Sequence, residues 1–115
     1  MTNTKEIIIN FIKENPGTSF VEIERLFEDN GFEYQGNQNV INDKYEQLIY
    51  WSNWNEEAID LIKEIMFDDN FKINPCHKLV YIVDGKVIEL RTTHKERNCM
   101  YPTWLPMTLS YEVKR

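Results

Sequence analysis

The sequence predicts a small α+β domain of winged-helix type, and three observations carry that expectation. Two short amphipathic segments near the N-terminus are separated by the break Asn15-Pro16-Gly17. A third amphipathic segment begins just after Trp54. The chain then turns strand-rich, with "FKIN", "KLVYIVD" and "KVIEL" in succession. Three helices followed by a small antiparallel hairpin or sheet in the C-terminal half fit this order, in a single domain over 1–115. A chain of 115 residues can bury a core without staples.

The first helix is expected over 4–15, where Ile8 and Ile12 with Ile7 and Phe11 form one apolar stripe. Pro16 disfavours helical backbone at Asn15, and Gly17 lets the chain turn. The second helix opens on Ser19, with Glu22 three residues on, the signature of a capping box. Phe20, Val21, Ile23, Leu26 and Phe27 make its apolar face, and Gly31 suits the left-handed position past its end. Residues 32–43, "FEYQGNQNVIND", read as a long polar loop. "QLIYW" at 47–51 reads as a short strand.

Asn53 and Asn55 are alternative N-caps for the third helix, predicted over 55–68, with Glu56 and Glu57 favourable to its dipole. Its core stripe is Ala58, Leu61, Ile62, Ile65 and Met66. Strands follow at 71–74, 78–84 and 86–90, the last two joined by a hairpin turn at Asp84-Gly85. Residues 91–98 are a charged loop, and two prolines make the rest extended.

Charge is polarised along the chain. The net charge is −6, but residues 1–70 hold five Lys/Arg against fifteen Asp/Glu, and residues 71–115 hold eight against four. An acidic majority argues against a general nucleic-acid coat, because phosphate affinity rests on Lys and Arg. No run approaches the roughly 18 apolar residues that span a bilayer. No basic region followed by an apolar run opens the sequence, so a cytoplasmic location and no membrane contact are expected. Cys76 and Cys99 are then expected as reduced thiols. With His77 and His94 they make a C-H-x16-H-x4-C set whose spacing matches no finger or ribbon, so no metal is assigned.

Several stretches, in this order, resemble a family. "PGTSFVEIERLFEDNGFEYQG", "WNEEAIDLI", "LVYIVDGKVIEL" and "WLP" are similar to small pathogenicity island proteins of staphylococcal pathogenicity islands and related phages. The likeness runs over most of the chain. It implies a cytosolic protein of a mobile element in a Gram-positive host, and carries no catalytic signature.

The chemistry therefore turns on charge and aromatics. There is no glycine-rich phosphate loop, nucleophile elbow or His pair at ligand spacing. Glu22, Asp60 and Glu64 are candidate acid–base groups only in the sense that carboxylates are abundant, so no enzyme, catalytic residue or cofactor is expected. The third helix occupies the place of a DNA-reading helix, yet "WSNWNEEAIDLIKEIMFDDN" carries six acids and one lysine. Like-charge repulsion excludes groove insertion.

Two binding surfaces remain. The first is Trp54, Glu56, Glu57, Asp60 and Glu64, an acidic face that Tyr45, Tyr50 and Trp51 also rim, suited to a basic protein partner such as a DNA-handling protein. The second is Lys86, Arg91, His94, Lys95 and Arg97, with Lys78 and Lys114–Arg115 nearby, suited to phosphates. A protein-interaction module of a mobile element is the leading expectation, and a winged-helix DNA-binding regulator is the alternative. The opposite charge of the two ends also suits self-association.

Overall fold

The computed structural model describes residues 4–112. Its elements are α1 (Thr4–Glu14), β1 (Thr18–Ser19), α2 (Phe20–Asp29), β2 (Gln35–Ile41), β3 (Leu48–Trp54), α3 (Glu56–Met66), β4 (Phe71–Pro75), α4 (Lys78–Asp84), β5 (Arg91–Thr92), β6 (Thr103–Trp104) and β7 (Met107–Tyr111). The fold is α+β, with four helices and two sheets among the described residues. One sheet has the order β1-β7-β4 and is antiparallel throughout. The other, β2-β3-β6-β5, is mixed: β2 and β3 are antiparallel, whereas β6 runs parallel to both β3 and β5.

The first three helices follow from local signals. Ile8 and Ile12 of α1 are fully buried. Ser19 Oγ accepts from the Glu22 amide at 3.3 Å, and the Glu22 carboxylate accepts from the Ser19 amide at 3.3 Å, completing the expected capping box. Of the two candidate caps for α3, Asn55 is the one used, its side-chain oxygen accepting from the Ala58 amide at 2.8 Å. The buried stripe of α3 is Ala58, Ile59, Ile62 and Ile65, while Leu61 and Met66 are only partly covered.

Three segments differ from expectation, the smallest being Arg91–Thr92, which leaves the expected charged loop to pair with β6. The polar stretch at 32–43 is largely strand, since Gln35–Ile41 pairs with β3. Its first five residues face solvent and only Val40 is buried, so no alternating apolar pattern marks it. Backbone pairing to an apolar neighbour makes the strand, which side-chain propensity cannot reveal.

The second difference is larger, because "KLVYIVD" is α4 and not a strand. A short apolar run is compatible with either state, and its flanks decide. His77 Nδ1 accepts from the Leu79 amide at 3.0 Å at the start of the helix. Gly85 ends it in the left-handed region at φ 93°, and its amide donates to Tyr81 O at 2.9 Å. The Asp-Gly pair thus serves as a helix stop, a role that needs the same positive φ as a hairpin turn. Residues 86–90 consequently form no strand, and the expected hairpin at 78–90 is absent.

The core is one aromatic-rich cluster. Trp51, Trp54 and Trp104 are all buried, with Phe20 5.7 Å from Trp54 and Tyr81 5.1 Å from both Trp51 and Trp104 between ring centroids. Tyr81 fastens α4 to this cluster. Its hydroxyl donates to Met107 O at 2.6 Å and accepts from the Phe20 amide at 3.2 Å. No helix among the described residues is long and apolar enough to cross a membrane.

Candidate functional site

The polar centre of the molecule is Glu24, 4% exposed on the inner face of α2. Its Oε2 accepts from Trp51 Nε1 at 2.6 Å and from Trp54 Nε1 at 2.8 Å. Its Oε1 accepts from Lys86 Nζ at 2.6 Å. A carboxylate in the core is tolerated because every strong donor around it is aimed at it, and the two indoles are satisfied in the same stroke. The register of α2 was the available signal for this residue. Glu24 stands four residues after Phe20 and three before Phe27, on the apolar stripe, where a carboxylate requires donors from elsewhere in the chain.

This arrangement redistributes the expected surfaces. Trp54 and Trp51 belong to the core and cannot rim a binding face. Tyr50 is buried as well, and Tyr45 is half-buried. Lys86, expected to contact phosphate from a hairpin, is instead the counter-charge of Glu24. Glu22 is spent on the α2 cap. What remains on α3 is purely ionic: Glu56, Glu57, Asp60 and Glu64 are exposed with Lys63, and Glu64 lies 3.1 Å from Lys5.

The basic loop divides in two. His94 stacks on His77 with ring centroids 5.7 Å apart, beside Cys76. Arg91 and Arg97 line a different concavity with Asn98 and Tyr101, of about 410 Å³, while Lys95 is exposed on the loop between them. Lys114 and Arg115 lie outside the described residues. No group of three or more His, Cys, Asp or Glu side chains among the described residues is arranged to hold a metal ion.

Cys76 and Cys99 are free thiols. Burial, reinforced by the Asp84 charge, pushes the Cys76 thiol up to about 11, which suppresses the thiolate needed for nucleophilic work. Burial first, and then the hydrogen bond to Glu28, pushes the Tyr34 phenol up to about 12. The phenols of Tyr50 and Tyr81 are also raised, chiefly by burial.

These shifts fix a sign. Up to about pH 8 both folded and unfolded chains hold the four protons, so their contribution to stability is constant. Above that the unfolded chain releases protons that the native state retains, and stability falls as pH rises. The window opens near 9.0 with Cys76 and near 10.0 with the tyrosines, and reaches about 11 and about 12 for Cys76 and Tyr34. Urea midpoints are expected to hold steady from neutral to mildly alkaline pH and then decline. Tyr34→Phe should make the decline shallower at its upper end, and an unchanged slope in that variant would contradict the assignment.

In comparisons with protein-family models, with curated proteins and with solved structures, nothing matches the chain at a significant level.

Proposed function

We propose that the protein is a non-enzymatic binding module of a mobile genetic element, built on a winged-helix frame, that engages a DNA-handling protein through a basic surface of that partner. Strand order supports the frame. Leaving out β2–β3 and the segment between β4 and β7, the chain runs α1-β1-α2-α3-β4-β7, with β7 between β1 and β4. A helix, strand, two helices and two further strands, with the last strand central, is the winged-helix succession. Residues 76–106 then stand where the wing would be, enlarged to hold α4, β5 and β6.

The observation that carries the function is the outer face of α3. In this frame α3 takes the recognition position, and it presents Glu56, Glu57, Asp60 and Glu64 against the single cation Lys63. Such a face repels phosphates and steers toward basic protein surfaces. Burial of the tryptophans removes the aromatic rim, so charge carries the contact. The outward Leu79, Ile82 and Val83 of α4 add exposed apolar area of the kind found on interaction proteins.

Affinity capture with and without nuclease tests this reading. The double change Glu57→Lys, Asp60→Lys is expected to cut recovery of a protein partner roughly tenfold, with a steep dependence on salt. Recovery equal to wild type would sink the acidic-face reading.

The alternative is a DNA-binding regulator using the basic loop. Arg91, Lys95 and Arg97 favour it by their exposure, but Lys86 is held by Glu24 and the expected hairpin is a helix. A duplex contact would rest on the loop alone.

A further inference from the structure

We propose that the concavity lined by Arg91, Arg97, Asn98 and Tyr101 is a nucleotide-binding site, in which the two guanidiniums hold the phosphate and Tyr101 stacks on the base. The site is independent of the α3 face. Its walls come from β5, an edge strand, and from the loop that returns to β6. That loop is pinned at several points. The Thr93 amide donates to Trp104 O at 3.0 Å, Cys99 Sγ to Arg97 O at 3.5 Å, and Thr103 Oγ1 to Tyr101 O at 2.9 Å. The buried Cys99 and Thr103 thereby hold the exposed Arg97 and Tyr101 in place from beneath.

Electrostatics distinguish this groove from an ordinary charged loop. Between residues 91 and 103 the sole carboxylate is Glu96. It does not line the concavity and is held by Asn42, whose Nδ2 donates to Glu96 Oε2 at 2.7 Å and also to Tyr50 OH at 2.7 Å. Asn42 is itself buried and fixed, since its Oδ1 accepts from the Lys44 and Tyr45 amides. Among the described residues neither Arg91 nor Arg97 has an ion-pair partner. Two arginines therefore line one concavity that has no carboxylate among its lining residues. Their forked donors match phosphate oxygens, and repulsion between them is relieved by an anion bound between.

Size and apolar content decide in favour of a nucleotide over a bare anion. A volume of about 410 Å³ is much larger than phosphate needs, and lies in the range of roughly 300–1,000 Å³ typical of small-molecule sites. Tyr101 is 62% exposed and Met100 86% exposed, so an aromatic face and a thioether border the cations. Basic side chains beside an exposed aromatic ring are the elements that hold unpaired bases, whichever the base. A free nucleotide and a single strand share this chemistry. A base-paired nucleotide does not, because its faces are already stacked.

The test is fluorescence polarisation of the intact protein with a labelled oligothymidylate at low salt. Unlabelled strand, thymidine monophosphate, a duplex of the same length and a phosphoserine peptide serve as competitors. The oligonucleotide is expected to bind, with a log–log salt slope of about −0.7 for one phosphate held on a single strand. Competition by the monophosphate identifies a free nucleotide as sufficient, whereas competition only by unlabelled strand identifies a strand. Either supports the site.

Arg91→Ala and Arg97→Ala should each weaken binding roughly tenfold, and Tyr101→Ala about fivefold or more while Tyr101→Phe retains it. Arg97→Lys, which keeps charge but loses the fork, should fall between, and serves if the alanine variant melts early. Lys13→Glu on α1 should leave affinity for the strand within a factor of two or so. Absence of binding at low salt, indifference to both arginine changes, or equal loss in Lys13→Glu would overturn the proposal. So would tighter binding of the duplex or the phosphoserine peptide.

Discussion

Replacing Glu24 with alanine is expected to cost about 3–5 kcal/mol, read as a shift in the urea midpoint followed by tryptophan fluorescence. The carboxylate is the acceptor for Trp51 Nε1, Trp54 Nε1 and Lys86 Nζ, and the two indoles are buried. Alanine strands both N–H groups where water does not reach them, at about 1–3 kcal/mol each. Against a typical stability of about 5–15 kcal/mol, the variant would be close to unfolding.

Glutamine separates the polar network from the charge. Both indoles donate to the same oxygen, Oε2, so the amide carbonyl of Glu24→Gln can keep both bonds. Only the bond to Lys86 is lost, and that ammonium is half exposed and can turn to water. The glutamine variant should therefore lose only about 1–2 kcal/mol. Equal losses in the two variants would mean that charge pairing, and not indole satisfaction, is what Glu24 supplies.

The second large effect is expected at Gly36, where alanine should destabilise by about 2 kcal/mol. A Cβ built there would lie 2.7 Å from Asn55 Cα, 2.7 Å from Asn55 N and 2.7 Å from Trp54 O. All three are backbone atoms, so no side-chain rotation relieves the clash. Either the strand or the start of α3 must move. The β2–β3 register is irregular at this point, with Gln35 and Gln38 both paired to Trp54. That bulge brings the strand against the N-cap of α3.

Asn55 is also tied down there, its amide donating to Tyr34 O at 2.7 Å and its Nδ2 to Glu33 O at 2.7 Å. Overpacking costs about 1–3 kcal/mol, partly offset by the roughly 0.4–1 kcal/mol gained from a stiffer unfolded chain. Steric cost wins. Amide chemical shifts of Tyr34 and Asn55 would report the displacement, and a variant as stable as wild type would show that the bulge can slide.

Legibility in the sequence followed how local the deciding interaction is. The first three helices and the Ser19 and Asn55 caps were readable because period and cap lie within a few residues of each other. β2 was not, since its exposed polar residues are held by the backbone of β3. α4 is hidden because Leu79–Val83 suits a strand by composition, while what fixes it is distant. Tyr81 reaches Met107, Ser19 Oγ donates to Asp84 at 2.6 Å, and Arg25 donates to Asp84 O at 2.6 Å.

The candidate sites divide in the same way. The acids of α3 are legible from helical spacing, whereas the burial of Trp54 and the pairing of Lys86 are not, because their partner, Glu24, lies 30 and 62 residues away. Arg91 and Arg97 were named by sequence proximity. That they share a groove is set by the fold, and that Glu96 is held by Asn42 depends on a contact spanning 54 residues.

The central position of β7 sets an order on biosynthesis. β1 and β4 never touch each other through the ladder; each is bonded only to β7. Thr18 emerges from the ribosome some ninety residues before its partner Leu109, and Ile73 must wait for the same residue. Until then the helices can pack only on the β2–β3 pair, and the β1-β7-β4 sheet has no centre. The β1-β7-β4 sheet consequently closes in one step, when that single five-residue strand is delivered.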